Sequence, residues 1–357
     1  MRVPLLLLRA GFVTLAASVL LPVLAMPAAA HGRGSDATNW DSRVTETPGI
    51  PGVSWEVHGG DELLELVSVE QEVTVLGYSG EPYVRVGPTG VHENTSSPAT
   101  YLNEDRYRTD LPPGASADPD ADPSWERVSD GPSYAWHDHR VHMMSTALPR
   151  EVEADPGTSR LVQEWSVPVV PSEGSETVVR GELHWVPGPS PWPWLALGIV
   201  AVLPALLGVV RRDSSAEALA RPAAVVLGSV ALLNLSHVID DIAAMPLPLS
   251  TIVLSVSQTL LFLLIGALGA VKAWHGGDGA FTALAVGSAA VLVGQGVLYL
   301  SVLSASQLTT VFPHGVGRFI VAASMAQALT VGPVAVLGTR RMVPDEEAAD
   351  IAHAASA

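Results

Sequence analysis

The sequence predicts an antiparallel β-sandwich followed by an α-helical transmembrane bundle of five helices, on three observations. Between Pro51 and Pro187 apolar residues alternate with period two, as in "VSWEV", and turn residues separate the runs. Beyond Pro193, five apolar segments are each about long enough to cross a bilayer as a helix. The first thirty residues carry Arg2 and Arg9, an apolar run and small residues at Ala28 and Ala30, the pattern of a secretory signal.

From the N-terminus, residues 1–30 are the expected signal peptide, and cleavage after Ala30 makes His31 the first residue of the mature chain. Residues 31–187 form the extracytoplasmic domain. Val53, Trp55 and Val57 share one face of a strand, as do Leu161, Gln163, Trp165 and Val167. Further strands are expected at 62–69, 72–78, 83–88, 133–142 and 176–186, and Gly90 to Pro132 reads as one long loop. Residues 188–193 complete a proline-rich stem, with Trp192 and Trp194 where an aromatic belt belongs. Residues 194–338 hold the apolar segments, near 194–210, 223–245, 251–271, 280–304 and 316–337. Arg211, Arg212 and Arg221 follow the first, Lys272 the third, and Arg340 and Arg341 the fifth, whereas 246–250 and 305–315 contain no Lys or Arg. The positive-inside rule then predicts a multi-pass protein of the cell membrane, with the N-terminal domain outside and the C-terminus cytoplasmic. Residues 339–357 read as a disordered cytoplasmic tail.

Charge and cysteine usage exclude several functions. Of the 36 acidic residues, 27 lie between His31 and Pro187, with ten arginines and no lysine, so this segment carries a formal charge of −17. Such a surface repels nucleic acid and concentrates cations. The absence of cysteine removes disulfides, thiolate zinc sites and iron–sulfur ligation. Any metal must be held by His, Asp, Glu, Met or a free amine.

Three groups of residues carry chemistry. A mature N-terminal His31 offers an α-amine and an imidazole nitrogen, a chelating pair for Cu(II). In "YAWHDHRVHMM", His137 and His139 fall on one face of an extended strand, with Trp136, Asp138, Arg140 and His142 on the other. The two imidazoles suit a shared metal, and His142 joins them only if the chain turns. The competing reading is a structural rim, with Asp138 paired to Arg140. The third group lies within the membrane, where His237, Asp240 and Asp241 fall at i, i+3 and i+4 of one helix. His314 and Arg318 open the last segment at similar depth, and an aspartate is the natural partner of Arg318, which predicts an interhelical clamp. "DPDADP" fails as a calcium loop because Pro123 occupies the glycine position. No nucleophile with a partnered base is visible, so no enzyme is expected.

"VTVLGYSGEPYVRVGPTGVHENTSSPATYLN", "WHDHRVHMM" and "GELHWVP" resemble a group of actinobacterial secreted or membrane proteins with a signal peptide, a β-rich ectodomain and C-terminal helices, a group that brings no established activity. In layout the chain is also similar to CopC-type periplasmic copper-binding proteins, whose mature chain starts with histidine on a small β-sandwich of immunoglobulin or cupredoxin-like form. That resemblance implies His31 as a copper ligand, with His137 or His139 and Asp138. The expected function is a membrane-anchored metal-binding protein, for copper binding or handover, with His237, Asp240, Asp241 and His314 as an outer-leaflet station. The alternative is a non-catalytic envelope protein that docks a protein partner through the segment from Gly90 to Pro132.

Overall fold

The structure is a computed structural model that describes residues 37–211 and 215–341. The signal peptide, His31, Arg212 and residues 342–357 of the expected tail lie outside them. The described chain is an antiparallel β-domain followed by five helices long and apolar enough to span a membrane.

Among the described residues the larger sheet has the order β1 (Trp40–Glu46), β10 (Thr177–Trp185), β9 (Arg160–Pro171), β4 (Val73–Leu76), β5 (Pro82–Gly87), β6 (Gly90–Asn94) and β7 (Trp125–Ser129). The smaller is β2 (Val53–His58), β3 (Leu63–Ser68) and β8 (Ser133–Trp136). Every pairing is antiparallel. Leu64 and Leu66 of β3 and Trp136 of β8 pack in one core with Val73, Val84, Val167 and Val179 of the larger sheet. Alternation along β9 sends Trp165, Val167 and Val169 inward, and each of the two valines contributes about 1.5–3 kcal/mol by leaving water.

Three expectations need correction. The segment from Gly90 to Pro132 is not one loop, because β6, helix α1 (Pro98–Leu102) and β7 lie within it. Asn94 explains the order. Its Oδ1 accepts from Ser96 and Ser124 backbone N–H groups and its Nδ2 donates to the Pro82 carbonyl, tying both ends of the excursion to β5. The strand expected at 133–142 stops at Trp136, where the chain turns. Finally, β1 precedes the expected start of the sheet; its inward Ser42 is buried because the Trp165 indole N–H donates to its hydroxyl at 2.9 Å.

A short helix α2 (Arg150–Ala154) precedes β9. The membrane helices are α3 (Trp192–Val210), α4 (Ala216–Ala243), α5 (Leu249–His275), α6 (Ala280–Val297) and α7 (His314–Arg340). α5 and α6 approach closely through small residues. A Cβ at Gly269 would lie 2.5 Å from the Ala283 carbonyl oxygen, so only glycine permits this spacing. Helix α4 is interrupted at Asn234, whose side-chain amide donates to the Val230 carbonyl and to Ser324 of α7. The short segment Leu235–Ala243 follows the break.

The β-domain is fastened to the helices by a strap, residues 305–311, between α6 and α7. Thr38 and Gln307 exchange two backbone hydrogen bonds, of 3.0 and 2.8 Å. The Ser306 N–H donates to Asn39 Oδ1 at 2.8 Å. Next to this seat, a Cβ at Gly188 of the stem would lie 1.6 Å from the Ser304 carbonyl oxygen. Gly188→Ala is therefore expected to push the stem off the strap and loosen the seat. Because the chain has no native cysteine, the double variant Thr38→Cys/Gln307→Cys reports this directly. The pair has the roughly 5.5 Å Cα spacing of a hydrogen-bonded antiparallel pair, which is within disulfide range, and should oxidise to a disulfide, and adding Gly188→Ala should reduce the yield several-fold. Equal yields would mean the stem adjusts without moving the seat.

Candidate functional site

The histidine-rich segment folds as a turn. The Asp138 N–H donates to the Trp136 carbonyl and the Val141 N–H to the Asp138 carbonyl, which ends the ladder of β8. The cause is the Asp138 carboxylate. It is fully buried and accepts from the Trp136 indole N–H at 2.9 Å, the Arg140 backbone N–H at 3.1 Å, and Arg140 Nε and Nη2 at 2.8 and 2.6 Å. Burial alone would raise the Asp138 pKa, but the adjoining guanidinium and these donors outweigh it and hold the carboxyl below the usual range. The pairing of Asp138 with Arg140 thus matches the structural-rim expectation.

The imidazoles do not share one face of a strand. His137 Nδ1 is 3.0 Å from the Glu62 carbonyl oxygen, and His139 Nε2 is 3.1 Å from the Asp105 carbonyl oxygen with its ring stacked on Tyr78. The turn does bring His142 near, with ring centroids of His139 and His142 5.4 Å apart. His142 is 1 % exposed, and neither ring nitrogen has a partner. Burial, then the nearby Arg106, His139 and His137, push its pKa down to about 3. Arg106 itself is committed to Asp61, at 2.5 Å, and to Glu62. Among the described residues no three His, Asp or Glu side chains are placed to hold a metal ion together.

The membrane cluster is arranged differently. His237, Asp240 and Asp241 line a cavity of about 40 Å³ where the β-domain, α4, α5 and the strap meet. All three lie on the short segment after Asn234, and Ala37 of the β-domain closes one side. Asp240 Oδ1 accepts from the Thr310 hydroxyl and the Val311 N–H, both at 2.9 Å. The two oxygens of Asp241 accept from Ser255 at 2.6 Å and Thr259 at 2.8 Å, both on α5. His237 stacks on Tyr299 with centroids 4.4 Å apart, is 6 % exposed, and leaves Nε2 without a partner.

The expected clamp is absent. Arg318 Nη2 donates to the Ala305 carbonyl at 2.7 Å, and neither aspartate has a Lys or Arg partner among the described residues. Hydroxyls of the strap and α5, with one backbone N–H, supply hydrogen bonds to the carboxylates in place of a guanidinium. Arg318 pins the strap instead, with the half-buried His314 beside it and near Ser306. Sequence reasoning missed Ser255, Thr259, Tyr299 and Thr310. Of these only Thr310 lies in the uncharged, hydroxyl-bearing "SASQLTT", whereas Ser255, Thr259 and Tyr299 stand elsewhere in the chain.

Comparison of the chain with protein-family models, curated proteins and solved structures finds no significant match, so its functional reading rests on its own geometry.

Proposed function

We propose that this chain is a membrane-anchored extracytoplasmic binding protein that takes a small cation in the junction between its β-domain and its helices. The observation that carries this reading is the junction cavity. Two carboxylates face it without a basic partner among the described residues, beside an imidazole nitrogen that nothing satisfies. An uncompensated carboxylate within the span of a membrane protein is costly, and a bound cation removes that cost. The acidic outer domain raises the cation concentration at the mouth.

The copper form of the reading places Cu(II) between the His31 amine and His137 or His139. His31 lies outside the described residues, and a backbone carbonyl holds one ring nitrogen of each of the other two. Copper therefore enters as one cation to be tested, by titration of a chain beginning at His31 against one extended by a residue. Binding that the extension abolishes would establish the terminal site, and indifference to it would remove that site.

The reading requires the cavity to face outward, with the C-terminus cytoplasmic, as the distribution of Arg and Lys suggests. In intact cells, a single cysteine replacing Thr309, in the cavity wall, should react with a membrane-impermeant maleimide, and one replacing Asp278, between α5 and α6, should react only after lysis. The reverse pattern would invert the topology and end the extracytoplasmic assignment.

A further inference from the structure

We propose that the junction cavity is a site for a primary ammonium group, the protonated head of a small alkylamine; this rests on the cation reading above and names the class of cation. Atoms left without partners decide between kinds of cation. Asp240 uses only Oδ1 within the described chain, which leaves Oδ2 as an open acceptor. His237 Nε2 is a second one when the neutral ring carries its proton on Nδ1, and its side chain is more than nine-tenths buried against the same cavity. A group that is at once cationic and a multiple hydrogen-bond donor satisfies both atoms and the local charge. An ammonium, with three N–H donors on a compact charge, does so without other ligands.

A metal ion asks for more than the site gives. Zinc takes four donors and calcium six to eight, whereas no three His, Asp or Glu side chains converge among the described residues. Both oxygens of Asp241 already accept hydroxyl hydrogen bonds, so that carboxylate adds field rather than a ligand. The rest of the wall suits a hydrocarbon. Met245, Leu247, Val302 and Leu308 line it with no further charged group. At about 10–15 Å³ for each water-sized occupant, a cavity of about 40 Å³ admits a head of roughly three heavy atoms. Ethylammonium has that size.

The test is calorimetric titration of the purified full-length protein in detergent, at neutral pH and constant ionic strength. The probes are ethylammonium, tetramethylammonium, sodium, calcium and copper(II). Ethylammonium should bind saturably and tetramethylammonium, which has the charge but no N–H, should not. Asp240→Asn and His237→Phe should each weaken ethylammonium binding about tenfold or more, the loss of a charge-assisted hydrogen bond. Phenylalanine retains a ring to stack on Tyr299, and the Thr38→Cys/Gln307→Cys cross-link checks that each variant keeps the domain seated. If tetramethylammonium binds as well as ethylammonium, or if a metal ion binds and ethylammonium does not, the ammonium assignment is overturned while the cation reading stands. If no cation saturates, both fall.

Discussion

Arg140→Ala is expected to destabilise the β-domain by about 3–5 kcal/mol, enough to lower its unfolding temperature by roughly 10 °C or more. The guanidinium makes three hydrogen bonds, two to Asp138 and one from Nη1 to the Leu76 carbonyl at 3.1 Å, and lies over the Tyr78 ring at 5.1 Å. Removing it leaves the fully buried Asp138 carboxylate with the indole and one backbone N–H, too few donors to replace the hydration it gave up on folding. The size of the effect comes from that stranded charge rather than from the net worth of the pair. The double variant Asp138→Leu/Arg140→Met should therefore recover a large part of the loss. Urea unfolding followed by tryptophan fluorescence reads this out, since Trp136 bonds to Asp138 itself. A double variant no more stable than the single one would mean that the turn depends on the hydrogen bonds to Asp138 and not on charge compensation.

That same carboxylate marks the limit of what the sequence discloses. Where a strand buries one face against the other sheet, as β2, β3 and β9 do, the pleat imposes period two on composition, and the strand can be read directly. The five helices are legible for a comparable reason, because a bilayer demands an apolar run of fixed length. Beyond Trp136 the next apolar residues, Val141 and Met143, fall on the opposite phase of the pleat, and the strand stops. A buried Asp collecting local N–H groups outcompetes the ladder, and only the fold reveals that it is buried. β1 hides its inward position behind Asp41 and Ser42, whose place makes sense only once Trp165 arrives from more than 120 residues away. In the membrane, helical spacing found His237, Asp240 and Asp241 as one group, but charge complementarity nominated Arg318 as the partner. The actual partners are hydroxyls and a backbone N–H, groups that carry no charge to attract attention.

His142 should make the β-domain lose stability on acidification between pH 6.5 and about 3. A histidine in an unfolded chain takes up its proton near pH 6.5. In the folded domain burial, with Arg106 and two further histidines nearby, delays uptake to about pH 3. Throughout this window the unfolded chain binds one more proton than the folded one, so stability falls as pH falls; above pH 7 this group has no effect. At 1.36 kcal/mol per unit, the contribution at pH 5 is about 2 kcal/mol. Asp138, held low, adds to the loss only at more acidic pH, whereas Asp61 and Glu93, raised chiefly by burial, oppose it. The raw pH profile therefore mixes signs, and the His142→Phe variant isolates the histidine. Phenylalanine fits beside the edge-on Tyr107 ring, 6.4 Å away, and removes two buried nitrogens that have no partner. The variant should match or exceed the parent in stability at pH 7.5, and its advantage should widen by about 2 kcal/mol at pH 5. Urea midpoints of both proteins at the two pH values measure that difference. Parallel pH profiles would show that His142 protonates in the folded domain as readily as in the unfolded chain, which its burial argues against.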